Sequence, residues 1–116
     1  MNWREKLRPL ALEFATLKAY APPGIIDPGW MAMKWGEMGF SHRKARVMFV
    51  SELIGREIGS FKELTPDEVT TLGSMMDSSS AIVLLKLYHS AKEEWVATKE
   101  IKIRPRRTKI EHKNPN

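Results

Sequence analysis

Trp3, Leu7, Leu10, Phe14 and Leu17 recur at spacings of four, three, four and three, one apolar stripe along four helical turns. Pro9 interrupts the stripe, because an interior proline removes a hydrogen bond and crowds the preceding turn. The pattern predicts either one helix bent at Pro9 or a helix that begins near Arg8 with Pro9 in its first turn. "APPGIIDPG", residues 21–29, is rich in proline and glycine and predicts a connector. Asp27 followed by Pro28 then reads as a cap and a first-turn proline. Beyond it Trp30, Met31, Met33, Trp35 and Met38 go most of the way around a helix. Such a helix is buried on several sides or offers an apolar surface. Gly39 suits the left-handed position that ends it.

The same reading continues along the chain. Ser41 is the expected cap of a helix whose buried stripe is Val47, Met48, Phe49, Val50 and Ile54, stopped by Gly55. "REIGSFKEL" reads as a loop or a brief extended piece. "TPDEV" at 65–69 predicts a capping box on a proline start, with Thr65 as cap, Pro66 first in the helix and Glu68 three residues after the cap. Val69, Leu72, Met75 and Met76 form that helix's apolar side. "DSSS" at 77–80 breaks it and offers caps for the next. Leu84, Leu87, Tyr88, Ala91 and Trp95 then recur at three and four over residues 81–97. "AIVLLKLY" taken alone also suits a strand, but the longer periodicity through "SAKEEW" favours a helix. "KEIKIRP" alternates charged and apolar residues, as a short strand or an extended arm does. The expected fold is all-α: a small bundle of about five helices over residues 1–97, followed by an extended basic arm over 98–116.

The 116 residues suit one domain, and 42% apolar content is enough for a small core. The absence of cysteine excludes disulfides, thiolate zinc sites and a cysteine nucleophile. "MNWREKLRPLALEF" lacks the apolar stretch of a secretory signal. The longest apolar run, Ala81 to Leu85, is far short of the roughly 20 residues of a membrane span. A soluble, cytoplasmic protein with no membrane partner is expected. No enzyme pattern emerges. His42, His89 and His112 lie in different segments without ligand-like spacing. Glu93 and Glu94 are adjacent and diverge by about 100° on a helix. "GREIGS" lacks the length and the lysine of a phosphate loop. Catalysis, a metal and a cofactor are not expected.

Charge changes the picture. Net charge is +5, and residues 98–116 hold seven Lys/Arg against two Asp/Glu, so the arm carries all the excess and the body is neutral. Such an arm meets a polyanion or serves as a solubilising end. A second concentration lies at His42, Arg43, Lys44 and Arg46, in the first turn of a helix, where the backbone amides already present positive charge. Either these side chains form a solvated face, or they and the amides converge on an anion such as a phosphate. Arg56, past the far end of that helix, is too distant for the same phosphate but can meet another along a duplex or strand. Residues 28–38, "GFS" and 41–54 also have the order of a helix–turn–helix, with Trp35 bulky where the two helices must approach.

"WMAMKWGEMGFSHRKARVMFVSELIGREIGSFKELTPDEVTTLGSMM", residues 30–76, resembles a small helical module of phage and actinobacterial proteins, appended to some annealing and recombination proteins. It is less closely similar to the Mu-type phage regulatory protein family. The residues that carry the resemblance are Gly39, Arg43, Arg46, Leu53, Gly55, Arg56, Glu57, Ile58, Ser60, Leu64, Thr65 and Glu68. It implies a setting in phage or mobile-element DNA metabolism. The annealing core is not part of the match, so recombinase activity is not implied.

Two functions follow as expectations. The first is a non-catalytic, phage-type DNA-associated accessory protein. Its phosphate contacts are His42, Arg43, Lys44, Arg46 and Arg56 in the body, and Lys102, Arg104, Arg106, Arg107 and Lys109 in the arm. The second is an adaptor that docks on a host or phage protein through Trp30, Met31, Trp35 and Met38, residue types that anchor interfaces and that otherwise pack a core. Homodimerisation through that same face is a further expectation.

Overall fold

A computed structural model describes residues 2–21 and 26–102. Five α-helices run in the order α1 Trp3–Tyr20, α2 Pro28–Glu37, α3 Arg43–Ile54, α4 Pro66–Met76 and α5 Ser80–Ala97, with a 3-10 turn at Phe61–Glu63 between α3 and α4. There is no strand among the described residues, so the apolar run after residue 80 is helical. The periodic positions explain this. Leu84, Leu87, Tyr88, Ala91 and Trp95 are all buried along one side of α5. A strand could not bring that spacing to one face.

α1 begins at Trp3 and passes through Pro9 without ending, which settles the two starts open in the sequence. The Asn2 side chain caps it, accepting from the Glu5 N–H at 3.0 Å. Trp3, Leu7, Leu10 and Phe14 are buried while Pro9 is exposed. The carbonyl that Pro9 leaves without a partner therefore faces the solvent side, where water can satisfy it. α1 lies against α3, α4 and α5.

Two expected caps are displaced. His42, not Ser41, is the N-cap of α3, its ring Nδ1 accepting from the Ala45 N–H at 3.2 Å. Tertiary contacts select it, because the His42 N–H donates to Tyr88 Oη at 3.0 Å on α5. At α5 the cap position, Ser79, makes no side-chain bond, and Ser78 Oγ accepts from the Ser80 N–H instead. The capping box of α4 forms as its sequence predicts: the Thr65 N–H donates to Glu68 Oε1 at 2.8 Å, and the Glu68 N–H donates to Thr65 Oγ1.

The core is organised around linked aromatic rings. Trp95 and Trp3 meet edge to face at 5.4 Å, Trp3 meets Phe49, and Phe49 meets both Tyr88 and Phe40. Phe40 lies 4.6 Å from Trp35, and Trp35 meets Phe61 at 5.8 Å. This chain of rings ties α1, α5, α3, α2 and the 3-10 turn together. The folded body also reaches further than residue 97. The Glu100 N–H returns to the Trp95 carbonyl at 2.8 Å, and Ile101 is buried. The expected arm therefore begins as a hook pinned to the body, because an isolated Ile among charged residues finds apolar surface to cover.

Candidate nucleic-acid interface

The first turn of α3 divides its four cationic candidates between two tasks. Arg43 and Lys44 are exposed and carry no ion pair among the described residues. Arg46 turns inward. Its Nη1 donates to the Phe40 carbonyl at 2.6 Å, its guanidinium faces the Phe61 ring, and its Nε is buried without a hydrogen-bond partner. The guanidinium passes close over α2, where a Cβ on Gly36 would stand 3.3 Å from Nη1. Burial holds Arg46 below the ordinary arginine pKa, Tyr88 opposes that shift, and the neighbouring Arg43 charge adds to it. Arg46 is thus a strut between α2, α3 and the 3-10 turn, with an edge left over for a ligand.

His42 spends both ring nitrogens. Nδ1 accepts from Ala45, so it bears no proton, and Nε2 donates to the Lys102 carbonyl at 3.3 Å. The ring therefore occupies one of the amides expected to hold an anion, and His42 is a positioning residue rather than a phosphate contact. It also fastens residue 102, where the basic run of the chain begins, beside Arg43 and Lys44. Arg104, Arg106, Arg107 and Lys109 lie outside the described residues.

Arg56 is already engaged within the fold, with its side chain still 43% exposed. Its Nε donates to Glu68 Oε2 at 2.9 Å, its Nη2 to Glu68 Oε1 at 2.7 Å and to the Glu63 carbonyl at 2.9 Å. The bidentate pair raises Arg56 above its ordinary value, its largest cause being the Glu68 hydrogen bond. The same bond holds the buried Glu68 carboxyl low, burial opposing it. This pair locks the α3–α4 connection through the residue that also closes the capping box.

Packing leaves α3 only a narrow exposed surface. Ala45, Val47, Phe49, Val50 and Leu53 are buried, and beyond Lys44 only Glu52 is exposed along the helix. A recognition helix reads base edges mainly from its N-terminal residues, and on α3 the exposed ones there are Arg43 and Lys44. The first turn of α3 offers a partner the most open part of the helix.

The apolar face of α2 also divides. Met31 and Trp35 are buried at 3% and 1% exposure, so neither can anchor a partner. Four-residue spacing puts them on one side, against α4 and the 3-10 turn. Trp30, Met33 and Met38 are exposed. Lys34 Nζ sits 5.6 Å from the Trp30 ring centroid.

Two cavities flank these features. One, of about 480 Å³, is lined by Arg4 and Arg56 together with Glu52, Glu57 and Glu100, and both arginines are already paired to carboxylates. The other, of about 180 Å³, lies between α2, α3 and the 3-10 turn and has Arg43, Arg46 and Lys62 in its wall, with no carboxylate among the described residues that line it. Lys62 and Ser60 were not candidates from sequence. A lysine in a short loop carries no periodic signal, and only the fold brings it opposite Arg43.

Comparison with family models, with curated proteins and with solved structures finds no match to this chain. No helix among the described residues is long and apolar enough to cross a membrane.

Proposed function

We propose that this protein is a non-catalytic DNA-associated accessory protein of phage type, which holds nucleic-acid phosphates at the start of α3 and along its basic C-terminal run. The observation that carries the reading is the 3.3 Å bond from His42 Nε2 to the Lys102 carbonyl. It holds Lys102, the residue from which the basic run continues, close to Arg43 and Lys44, which are exposed and carry no ion pair among the described residues. Phosphate contacts of this kind position a protein on nucleic acid without reading its bases. The phage setting rests on the sequence resemblance of residues 30–76. A gel-shift series from low to moderate salt tests the reading. Log affinity should fall linearly with log salt, by about 0.9 for each duplex phosphate contacted. Absence of a shift at the lowest salt would refute it.

A second reading is an adaptor whose anchor is the exposed strip Trp30, Met33 and Met38 on and just after α2, with 48%, 53% and 42% of their surfaces open. Alanine at both Arg43 and Lys44 separates the two: DNA affinity drops in the first reading, and capture of a protein partner is unaffected in the second. Light scattering at two concentrations tests self-association through that strip.

A further inference from the structure

The 180 Å³ cavity between α2, α3 and the 3-10 turn is too small for a whole ligand, since sites for drug-sized molecules run from about 300 Å³ upward. Its chemistry is one-sided. Arg43, Arg46 and Lys62 bring three positive charges into one wall, Ser60 adds a hydroxyl, and no carboxylate among the described residues lines it. Lys62 and Arg43 are exposed and have no ion pair among the described residues. Arg46 is held rigidly by the Phe40 carbonyl, so one cation is fixed before any ligand arrives. Like charges kept together without a counter-ion oppose folding, and an incoming anion relieves that repulsion.

An internal phosphodiester carries one charge and continues in both directions. A terminal phosphate monoester carries nearly two near neutral pH and has one substituent, so it fits a closed end. Gly29 and Ala32 of α2 form the apolar side of the cavity, and Trp30, the residue after Gly29, is the one tryptophan of the four that is exposed. Trp30 does not line the cavity and diverges from Gly29 by about 100° around α2, but its exposed indole suits a single strand that runs on from the site, whose bases stack on aromatic faces.

We propose that this cavity seats the terminal phosphate of a nucleic-acid strand between Arg43, Arg46 and Lys62, with Trp30 offering a stacking face to the adjoining base. The inference rests on the nucleic-acid reading above and narrows it to strand ends.

The test compares short single strands of one sequence bearing a 5′-phosphate, a 3′-phosphate or hydroxyls at both ends, titrated by fluorescence anisotropy at fixed salt with the full chain. One phosphorylated end should bind about tenfold tighter than the hydroxyl strand, the scale of one charge-assisted hydrogen bond. Lys62→Ala should erase that preference while leaving the hydroxyl strand bound nearly as before. Because Lys62 is exposed, this variant should keep the wild-type circular dichroism. Tryptophan emission should be quenched on binding, and Trp30→Phe should abolish the quenching. Equal affinity for all three strands overturns the end-binding inference and leaves the phosphate-contact reading standing. Failure of every strand to bind overturns both. Weak strand binding together with tight binding of a phosphoserine peptide, lost in Lys62→Ala, overturns the nucleic-acid assignment in favour of a phosphoprotein partner.

Discussion

Arg43 and Arg46 stand one turn apart on α3 and do different work. Arg43 is exposed and carries no ion pair among the described residues, whereas Arg46 bridges the Phe40 carbonyl and the Phe61 ring over Gly36. Arg43→Ala should change stability by less than about 0.5 kcal/mol, as for most exposed sites. Arg46→Ala should cost about 1–3 kcal/mol, because it leaves a partly buried carbonyl unsatisfied and removes a packed stem. Urea denaturation of the two variants measures the difference. The tryptophans of α2 divide in the same manner. Trp35→Ala should lose about 3–5 kcal/mol from the core, while Trp30→Ala should stay within about 0.5 kcal/mol. Comparable losses at Trp30 and Trp35 would mean that Trp30 is a packing residue after all. From sequence these pairs are indistinguishable: each has the same residue type in the same helix, and the side that faces the core depends on what packs against it.

At the scale of elements, the stops and starts decide the geometry. Gly39 and Gly55 both have positive φ, 121° and 81°. A Cβ at Gly55 meets nothing within 4 Å, whereas at Gly39 it would come within 2.9 Å of Leu85 Cδ1. Gly55→Ala should therefore cost about 1–2 kcal/mol from backbone strain alone. Gly39→Ala should cost more, since its φ lies farther from the left-handed well that an L side chain tolerates and the added Cβ makes the Leu85 side chain move aside. Thermal unfolding of the two variants should rank them in that order. The α3–α4 connection depends on Glu68, whose carboxyl is held below its ordinary value by Arg56. A carboxyl depressed on folding contributes in full above its unfolded pKa, and the contribution is lost as pH falls through the folded value. Stability should accordingly fall with acidification below the ordinary glutamate range. Glu68→Gln should be less stable at neutral pH by about 1–3 kcal/mol and show a shallower acid dependence. An acid-unfolding profile identical to that of the wild type would show that Glu68 carries no such linkage. Thr65, Pro66 and Glu68 were legible as a start signal because a capping box is local. Its further tie to Arg56 spans twelve residues and has no sequence pattern.

Across the whole molecule, Lys102 and the first turn of α3 share one region because the chain hooks back after α5. Ile101 is buried and Lys102 reaches His42. Removing residues 103–116 deletes five of the chain's 19 Lys/Arg and should flatten the slope of log affinity against log salt. The double change Arg43→Ala with Lys44→Ala should flatten it further in the truncated chain. A slope that survives both changes would place the phosphate contacts elsewhere on the molecule. Ile101→Asp offers a separate test of the hook: it should loosen residues 98–102, raising amide exchange at Glu100 and Ile101 while α1 to α5 stay protected.

The sequence alone determined the helices, their order and most of the buried stripe, because periodicity and capping act over three or four residues. It also determined that positive charge gathers in the arm and at the start of α3. The tertiary structure decided which of the charges on the described residues are engaged within the fold. Arg56 is taken by Glu68 across a connection, Arg46 by a turn carbonyl and an aromatic ring, and the His42 ring by an amide and the hook at Lys102. Lys62 joins the remaining cations only when the 3-10 turn closes against α2. Pairing of charges depends on distances between residues far apart in the chain, and only packing of the helices sets those distances.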